Sequence, residues 1–386
     1  MSEADRVDIA IIGAGIAGLS TALACQAAGI SAQVYEAAPE IRPLGSSLSI
    51  WPNAMACLAE WGIADKVRAS GALIAGLAWR RLDGRPYFEQ DLKGFYDDLG
   101  QDGVCIRRAD LHSHLMEALQ PETLQLDHRV ETLEHSDTGV RIRFLDGREV
   151  LARQVVGADG LWSKTRAEVL KDGPPKYAGY GAWLMQTKVP APGHGSHEGC
   201  EYIGEKARLG VFETGQGIRY TFVVANAPDP VPHARPADPN ECAPLLKGWP
   251  EALQRLALES EETVYASFYD RPVAARWGKG AVALIGDAMH PFVPNLGQGA
   301  CQAIEDAHVL TEGLRQGQRG EDLISWMKTH RLKRLRYMRK SANKVGQLVQ
   351  STSPLMRKSI ALFGVPPFRQ MMRRDLRYQF TRSDPR

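Results

Sequence analysis

The first periodic signal in the chain is a nearly continuous apolar run from Val7 to Ile12, rich in β-branched residues. Such a run predicts a strand buried on both faces, as in a parallel sheet. Gly13, Gly15 and Gly18 follow, and then an Ala- and Leu-rich segment up to Gly29. That segment predicts a helix closed by a C-terminal glycine. A second strand is predicted over Ala32 to Glu36, which makes the opening a βαβ start.

Further along, Ile41 to Ile50 reads as a loop and short strand of small residues, and Pro52 and Asn53 open a helix with Met55, Leu58, Ala59 and Ile63 at helical spacing. Trp79–Arg81 and Arg85–Phe88, joined by Asp83 and Gly84, predict a hairpin, as do Val130–Leu133 and Val140–Phe144. Between the hairpins, Leu111, Leu115 and Leu119 mark an amphipathic helix. The apolar-strand texture returns over 154–170 and again at Ala281, where AVALIGD predicts a strand ending in Asp287. From Tyr177 to Tyr269 the pattern is β-rich and aromatic, with Ile218, Tyr220, Phe222 and Val224 on one strand face opposite Arg219 and Thr221. A helix opens after Gly297 and Gly299, and a long helical pattern covers Glu321 to Gln350.

These shifts divide the chain into a first α/β part over 1–176, a sheet-forming domain over 177–275, a return to the first domain over 276–350, and a C-terminal segment over 351–386. At 386 residues the length suits two domains sharing one large core. The six cysteines are scattered without a C-x-x-C pair, which suits reduced cytoplasmic thiols and excludes a zinc site of that spacing; no metal site is expected. The opening MSEADRVD has no cationic region ahead of an apolar core, so no signal peptide is expected, and the longest apolar stretch is too interrupted to span a membrane.

Net charge is +2, yet it is unevenly placed. Residues 331–386 hold 15 basic and 2 acidic side chains, and the remainder holds 32 basic and 43 acidic. A solvated helical face, a contact for the acidic body and weak peripheral contact with anionic membrane are all open to such a tail. Nothing in the pattern points to nucleic acid, and a monomer and a homodimer are both open.

The candidate chemistry starts at the glycines. Their G-x-G-x-x-G spacing gives a tight turn, a close approach of backbone to a pyrophosphate, and close helix–strand packing. The helix N-terminus then offers free N–H groups to phosphate. Glu36, about 20 residues further on, is placed to accept from both ribose hydroxyls and to repel a 2′-phosphate, which favours FAD or NAD over NADP.

Two more motifs join the first: GADGLWSKTR over Gly157–Arg166 and GDAMHPFVPNLGQGACQAIED from Gly286. With GAGIAG, Glu36 and Arg108 in IRRADLHSHL, they make the chain resemble the single-component flavin-dependent aromatic hydroxylases of the para-hydroxybenzoate hydroxylase fold family, roughly from Val7 to Met338. The resemblance implies an α/β fold: a Rossmann-like FAD-binding domain, a second β-sheet substrate domain and a helical C-terminal segment. It implies tightly bound FAD held by Gly13, Gly15, Ala17, Gly18, Glu36, Ala37, Ser49, Arg108, Val130, Asp159, Asp287, Gly297, Gln298, Gly299 and Ala300. Asp287 would take the polyol linker, Arg108 would reach the phosphates, and the N–H groups of 297–300 would face the pyrimidine edge of the flavin ring. For Asp159, shared contact to FAD and NAD(P)H and simple capping of the next helix are both open. No second dinucleotide fingerprint appears, in keeping with a family that binds NADH or NADPH transiently.

The implied reaction is hydroxylation of an electron-rich aromatic or heteroaromatic molecule with NAD(P)H and O2, through a flavin hydroperoxide. Small residues Gly45, Ser46 and Ser47 would leave the flavin room to move. Within the family the chain looks most similar to the urate, quinolone and pyridine hydroxylase branch, which places Arg208, Tyr220, Trp183 and Phe222 at the substrate and His290, Pro294 and Asn295 near the reacting centre. Urate hydroxylases carry an acid after this proline, and here Asn295 stands in that position. For His290, a loop-stabilising imidazole and a proton-transfer group are both open. The W-x-W-x-I-P stretch of flavin halogenases is absent. A reductase or epoxidase on the same fold, or a flavin-binding protein without turnover, are the alternatives.

Overall fold

The apolar run at the start of the chain becomes Asp5–Ile12, an interior strand of the first sheet, paired in parallel with Ala32–Tyr35 on one side and Glu149–Gly157 on the other. A computed structural model describes residues 5–41, 46–192, 197–351, 353, 360, 370, 372–374 and 376–377. The first sheet has eight strands: Val282–Leu284 extends it in parallel beside Glu149–Gly157, and the antiparallel hairpin Val130–Ser136 and Gly139–Phe144 branches from that same strand. Ile9, Ile11, Val155 and Val156 are wholly buried, as expected where helices cover both faces of a parallel sheet.

The Ile16–Ala27 and Gly299–Arg315 helices pack on each other against this sheet, and Gly320–Val349 packs on the latter. Gly18 explains the tight first contact: a Cβ there would collide with the Gly13 carbonyl. Gly13 has φ of +102°, in the region that favours glycine, and turns the chain from strand to helix under the Ala158 carbonyl.

The second sheet also has eight strands, in the order Arg235–Pro236, Glu262–Asp270, Lys176–Thr187, Arg219–Asn226, Ala207–Glu213, Glu198–Ile203, Gly76–Arg80 and Pro86–Asp91. Its last two strands are the hairpin expected around Asp83 and Gly84, so a segment from the first α/β part completes the sheet of the second. The Glu251–Leu258 helix covers the outer face with Leu253, Leu256 and Ala257. The inner face looks back at the first sheet.

One local expectation changes. Strand Val282–Leu284 stops short of Asp287: Gly286 takes φ of +55°, and Asp287 sits in a short helix, Gly286–Met289. A side chain at 286 would press on the Cβ of Ala17, so the turn is also a close approach between the two glycine motifs. The small-residue run is described only from Ser46, with Ser47–Ile50 as a strand beside Val104–Arg107; Gly45 lies outside the described residues. Most of the basic 351–386 segment lies outside them too. Among the described residues, no helix is long and apolar enough to cross a membrane.

Candidate functional site

A cavity of about 620 Å3 runs between the two large sheets, from Gly15 and Arg108 at one end, past Asp287 and Gly297–Ala300, to Tyr220 and Phe222 at the other. Three segments far apart in sequence meet there because the parallel strands end on the same side. Loops leaving those carboxyl ends form the crevice in which open α/β sheets bind ligands.

At the glycine end, Glu36 is held by backbone: its Oε2 accepts from Ala14 N at 2.8 Å and its Oε1 from Ala38 N at 2.9 Å. The carboxylate thus steadies the turn while keeping lone pairs for hydroxyl donors. Ala37 sits between those contacts at the end of Ala32–Tyr35. Val130 begins a hairpin strand, buried, with its carbonyl taking a bond from Lys164 Nζ at 3.1 Å. His112 was not anticipated from the sequence: its Nε2 donates to the Ala14 carbonyl at 2.6 Å, tying the glycine turn to the Arg108–Glu117 helix. The available signal was its spacing of four from Arg108, which puts both on one helix face.

Arg108 lines the cavity, and its guanidinium has no hydrogen-bond or ion-pair partner among the described residues. Burial pushes its pKa down, and Asp287 partly offsets this. Asp287 opens onto the cavity deep inside the protein; burial raises its pKa, against the lowering effect of His290 and Arg108. Gly297, with φ of +60°, leaves its backbone beside Trp51, and Gln298 caps the entry to Gly299–Arg315. Gln298 Oε1 accepts from Asn53 Nδ2 at 3.1 Å, so this side chain is tied inward while the backbone of Gly299 and Ala300 faces the cavity.

These residues fit FAD on observations of the protein itself. A cation without a hydrogen-bond or ion-pair partner among the described residues faces the cavity at Arg108. A Cβ at Gly15 or Gly299 would meet nothing within 4 Å, which leaves open space against both helix N-termini. In the cavity wall, Ser47 Oγ and Trp51 Nε1 are buried without a hydrogen-bond partner among the described residues. Ser49 lies beside them in the wall, and its carbonyl accepts from Cys301 Sγ at 3.4 Å.

Asp159 is occupied otherwise. Its Oδ1 accepts from Ser163 Oγ at 2.5 Å and its Oδ2 from Thr165 N at 2.9 Å, so both oxygens cap the Lys164–Leu170 helix. It does not line the cavity, whereas its neighbours Ala158, Gly160 and Leu161 do. Arg166, 2% exposed, donates to the Ala288 carbonyl at 3.0 Å and to that of Met289, clamping the loop that carries Asp287.

His290 is also absent from the cavity wall. Its Nε2 pairs with Asp306 Oδ2 in a buried network that includes Arg331, Glu305 and Arg334. The geometry is that of a loop-holding imidazole, the first of the two roles open to this residue. Trp183 needs correction as a substrate contact. In Lys176–Thr187 the neighbours Ala182 and Leu184 line the cavity, so by strand alternation Trp183 points to the outer face, where it packs on Tyr265 at 4.8 Å and bonds Glu241 at 3.4 Å.

At the far end Tyr220, Phe222, Pro294, Asn295 and Arg208 do converge. Arg208 NH2 donates to Asn295 Oδ1 at 2.7 Å, and Asn295 Nδ2 donates to Tyr180 Oη at 2.8 Å and the Ala342 carbonyl at 3.1 Å. Arg208 NH1 forms an ion pair with Glu201, a partner the sequence did not single out. Arg208 pairs with Ile203 across the ladder, which puts Glu201 diagonally on the same face; only the register reveals this.

Comparison with known proteins agrees with this geometry. The family of the FAD binding domain matches residues 6–344. The aurachin C monooxygenase/isomerase of Stigmatella aurantiaca is 33% identical over 309 residues, covering 79% of this chain and 80% of that protein. A FAD-dependent urate hydroxylase of Klebsiella pneumoniae is 32% identical over 313 residues, covering 79% of this chain and 81% of its own. The structure of Klebsiella pneumoniae HpxO complexed with FAD and uric acid aligns with a TM-score of 0.87 at 27% identity, covering 96% of each chain. The chain therefore belongs to the FAD binding domain family, and it is an FAD-dependent monooxygenase of the aromatic-hydroxylase type.

Proposed function

We propose that this enzyme hydroxylates a small aromatic or heteroaromatic molecule bound against Tyr220 and Phe222, with FAD laid along the cavity from the Gly13–Gly18 turn to Gly297–Ala300 and electrons supplied by NADH or NADPH. The observation that carries the reading is the continuity of one cavity from Gly15 and Arg108 to the aromatic face of the second sheet.

When bound, FAD supplies hydride acceptance from the nicotinamide and activation of O2 for transfer to an electron-rich ring carbon. The protein's residues do the rest. Glu36 would orient the ribose, Arg108 would neutralise the phosphates, and Asp287 would accept from the polyol linker. The N-terminus of Gly299–Arg315 would stabilise negative charge on the reduced ring. The apolar walls at Leu184, Phe212, Phe222 and Phe268 would exclude water during oxygen transfer. Ser46 and Ser47, which line the cavity with small side chains, support a flavin that shifts between reduction and oxygenation positions. A cytoplasmic setting fits the free, buried state of all six cysteines. Weak peripheral membrane contact through the basic tail is tested by flotation with anionic vesicles at low and high salt.

Incubation of the yellow holoenzyme with NADH or NADPH and a panel of phenols, purines, pyridines and quinolones tests the function. The expected result is substrate-stimulated O2 uptake with a product heavier by one oxygen atom. Peroxide formation without such a product from any ring would overturn the hydroxylase reading and leave a flavin-binding protein with oxidase leakage.

A further inference from the structure

Among the described residues, four charged side chains line the cavity, namely Arg108, Asp287, Glu201 and Arg208. The first two stand together at the end assigned to FAD. The other two stand at the substrate end, and they are already paired with each other.

Arg208 is 4% exposed, and each arm of its guanidinium has a protein partner. NH1 meets Glu201, NH2 donates to Asn295 Oδ1 at 2.7 Å, and Nε donates to Gln350 Oε1 at 3.3 Å. Asn295 cannot swing away to release it, because its amide nitrogen is spent on Tyr180 and Ala342. The Phe222 ring lies 5.9 Å from the guanidinium carbon, so the remaining approach to the cation is capped by an aromatic face. The pair is therefore electrically closed, and among the described residues the substrate end of the cavity carries no uncompensated charge.

Among the described residues the rest of that end is largely apolar or aromatic, with Trp79, Phe88, Leu184, Phe212 and Phe268 in its walls, and the Ser267 and Tyr269 hydroxyls there are both engaged with Val231 backbone. Tyr220 is the exception: its ring packs on Phe222 at 5.4 Å, it lines the cavity, and its hydroxyl has no hydrogen-bond partner among the described residues. An anionic ring brought here would lose its hydration without gaining a free cation, while a neutral ring with one polar substituent could meet Tyr220 and keep its apolar edges dry.

We propose that the substrate end of the cavity selects an uncharged, mostly apolar aromatic carrying one hydrogen-bonding ring substituent, and discriminates against anionic aromatics, because Glu201 and Asn295 already hold the Arg208 guanidinium. The proposal rests on the hydroxylase reading of the cavity. It makes Glu201 a specificity-determining residue that acts through Arg208: removing its charge frees a cation for the substrate.

The test uses the holoenzyme and a matched pair of probes, 4-hydroxyquinoline and its 2-carboxylate, titrated by perturbation of the flavin absorbance and by stimulation of NAD(P)H oxidation. In the wild type the neutral probe is expected to bind at least about tenfold more tightly than the carboxylate. In Glu201→Gln the carboxylate is expected to gain at least about tenfold, closing or reversing the gap. Equal or tighter binding of the carboxylate by the wild type overturns the proposal while leaving the hydroxylase reading intact. Unchanged selectivity in a Glu201→Gln protein that retains FAD overturns it as well. If Glu201→Gln fails to retain FAD, the wild-type comparison decides alone. If neither probe, nor any neutral or anionic member of the wider ring panel, perturbs the flavin, the hydroxylase reading falls and this proposal with it.

Discussion

Arg331 Nε donates to Asp306 Oδ1 across 2.7 Å, with both side chains withdrawn from solvent. The other oxygen of Asp306 accepts from Gly286 N at 2.9 Å and pairs with His290. A single carboxylate thus joins the Gly320–Val349 helix to the loop that presents Asp287. Asp306→Asn leaves a buried arginine without its full counter-charge, a loss of about 3–5 kcal/mol by analogy with broken buried pairs. Thermal unfolding and FAD content should fall together.

The same pair predicts an acid limb in stability. Burial alone would raise the Asp306 pKa, but His290 and Arg331 outweigh it and hold the group at about 2, below its ordinary 3.8. A depressed carboxylate contributes stability that is complete above the unfolded value and is lost as pH falls through the folded one. Glu305, lowered by Arg334 and Arg331 against burial, adds in the same direction. Melting temperature should therefore drop between about pH 5 and pH 2, and Asp306→Asn should flatten that limb.

Gly15 and Gly18 separate cofactor binding from packing. A Cβ at 15 meets nothing within 4 Å, whereas one at 18 collides with the Gly13 carbonyl. Gly18→Ala should lower folding stability by about 1–3 kcal/mol. Gly15→Ala should leave the melting temperature of the apoprotein near wild type yet weaken FAD by about tenfold or more, since its methyl occupies the space offered to phosphate. Calorimetry of the apoproteins and fluorescence titration with FAD check both.

Glu36→Gln keeps one acceptor oxygen and loses the other, so one of the two N–H groups at Ala14 and Ala38 goes unanswered. The expected cost is about 1–3 kcal/mol, read as weaker FAD binding with little change in the affinity for the aromatic substrate.

Strand alternation yields a control pair. Phe222 lines the cavity and Trp183 faces the outer layer. Trp183→Leu should lower the melting temperature but keep substrate KM within about twofold. Phe222→Leu should change substrate coupling, measured as product formed per NAD(P)H consumed.

Local patterning carried the βαβ start, both hairpins and the long terminal helix, because periodicity and glycine placement act over a few residues. It also marked Glu36 and the 297–300 turn, whose chemistry depends on backbone that the glycines themselves shape. Strand register lay beyond it. The branch resemblance implies a substrate contact at Trp183, and one step of strand alternation turns that side chain outward. For His290 the sequence leaves two roles open, and the buried pairing with Asp306 behind the wall favours the loop-stabilising one.

By itself, then, the sequence determined an adenine-dinucleotide cradle, since a G-x-G-x-x-G turn and its acid are local devices, and only the resemblance carried by the motif around Asp287 and Gly297–Ala300 separated FAD from NAD. Tertiary structure alone decided the charge of the substrate end. Glu201, Arg208 and Asn295 come from two neighbouring strands and a distant loop, and the neutrality of their cluster exists only once register and packing bring the three within bonding distance.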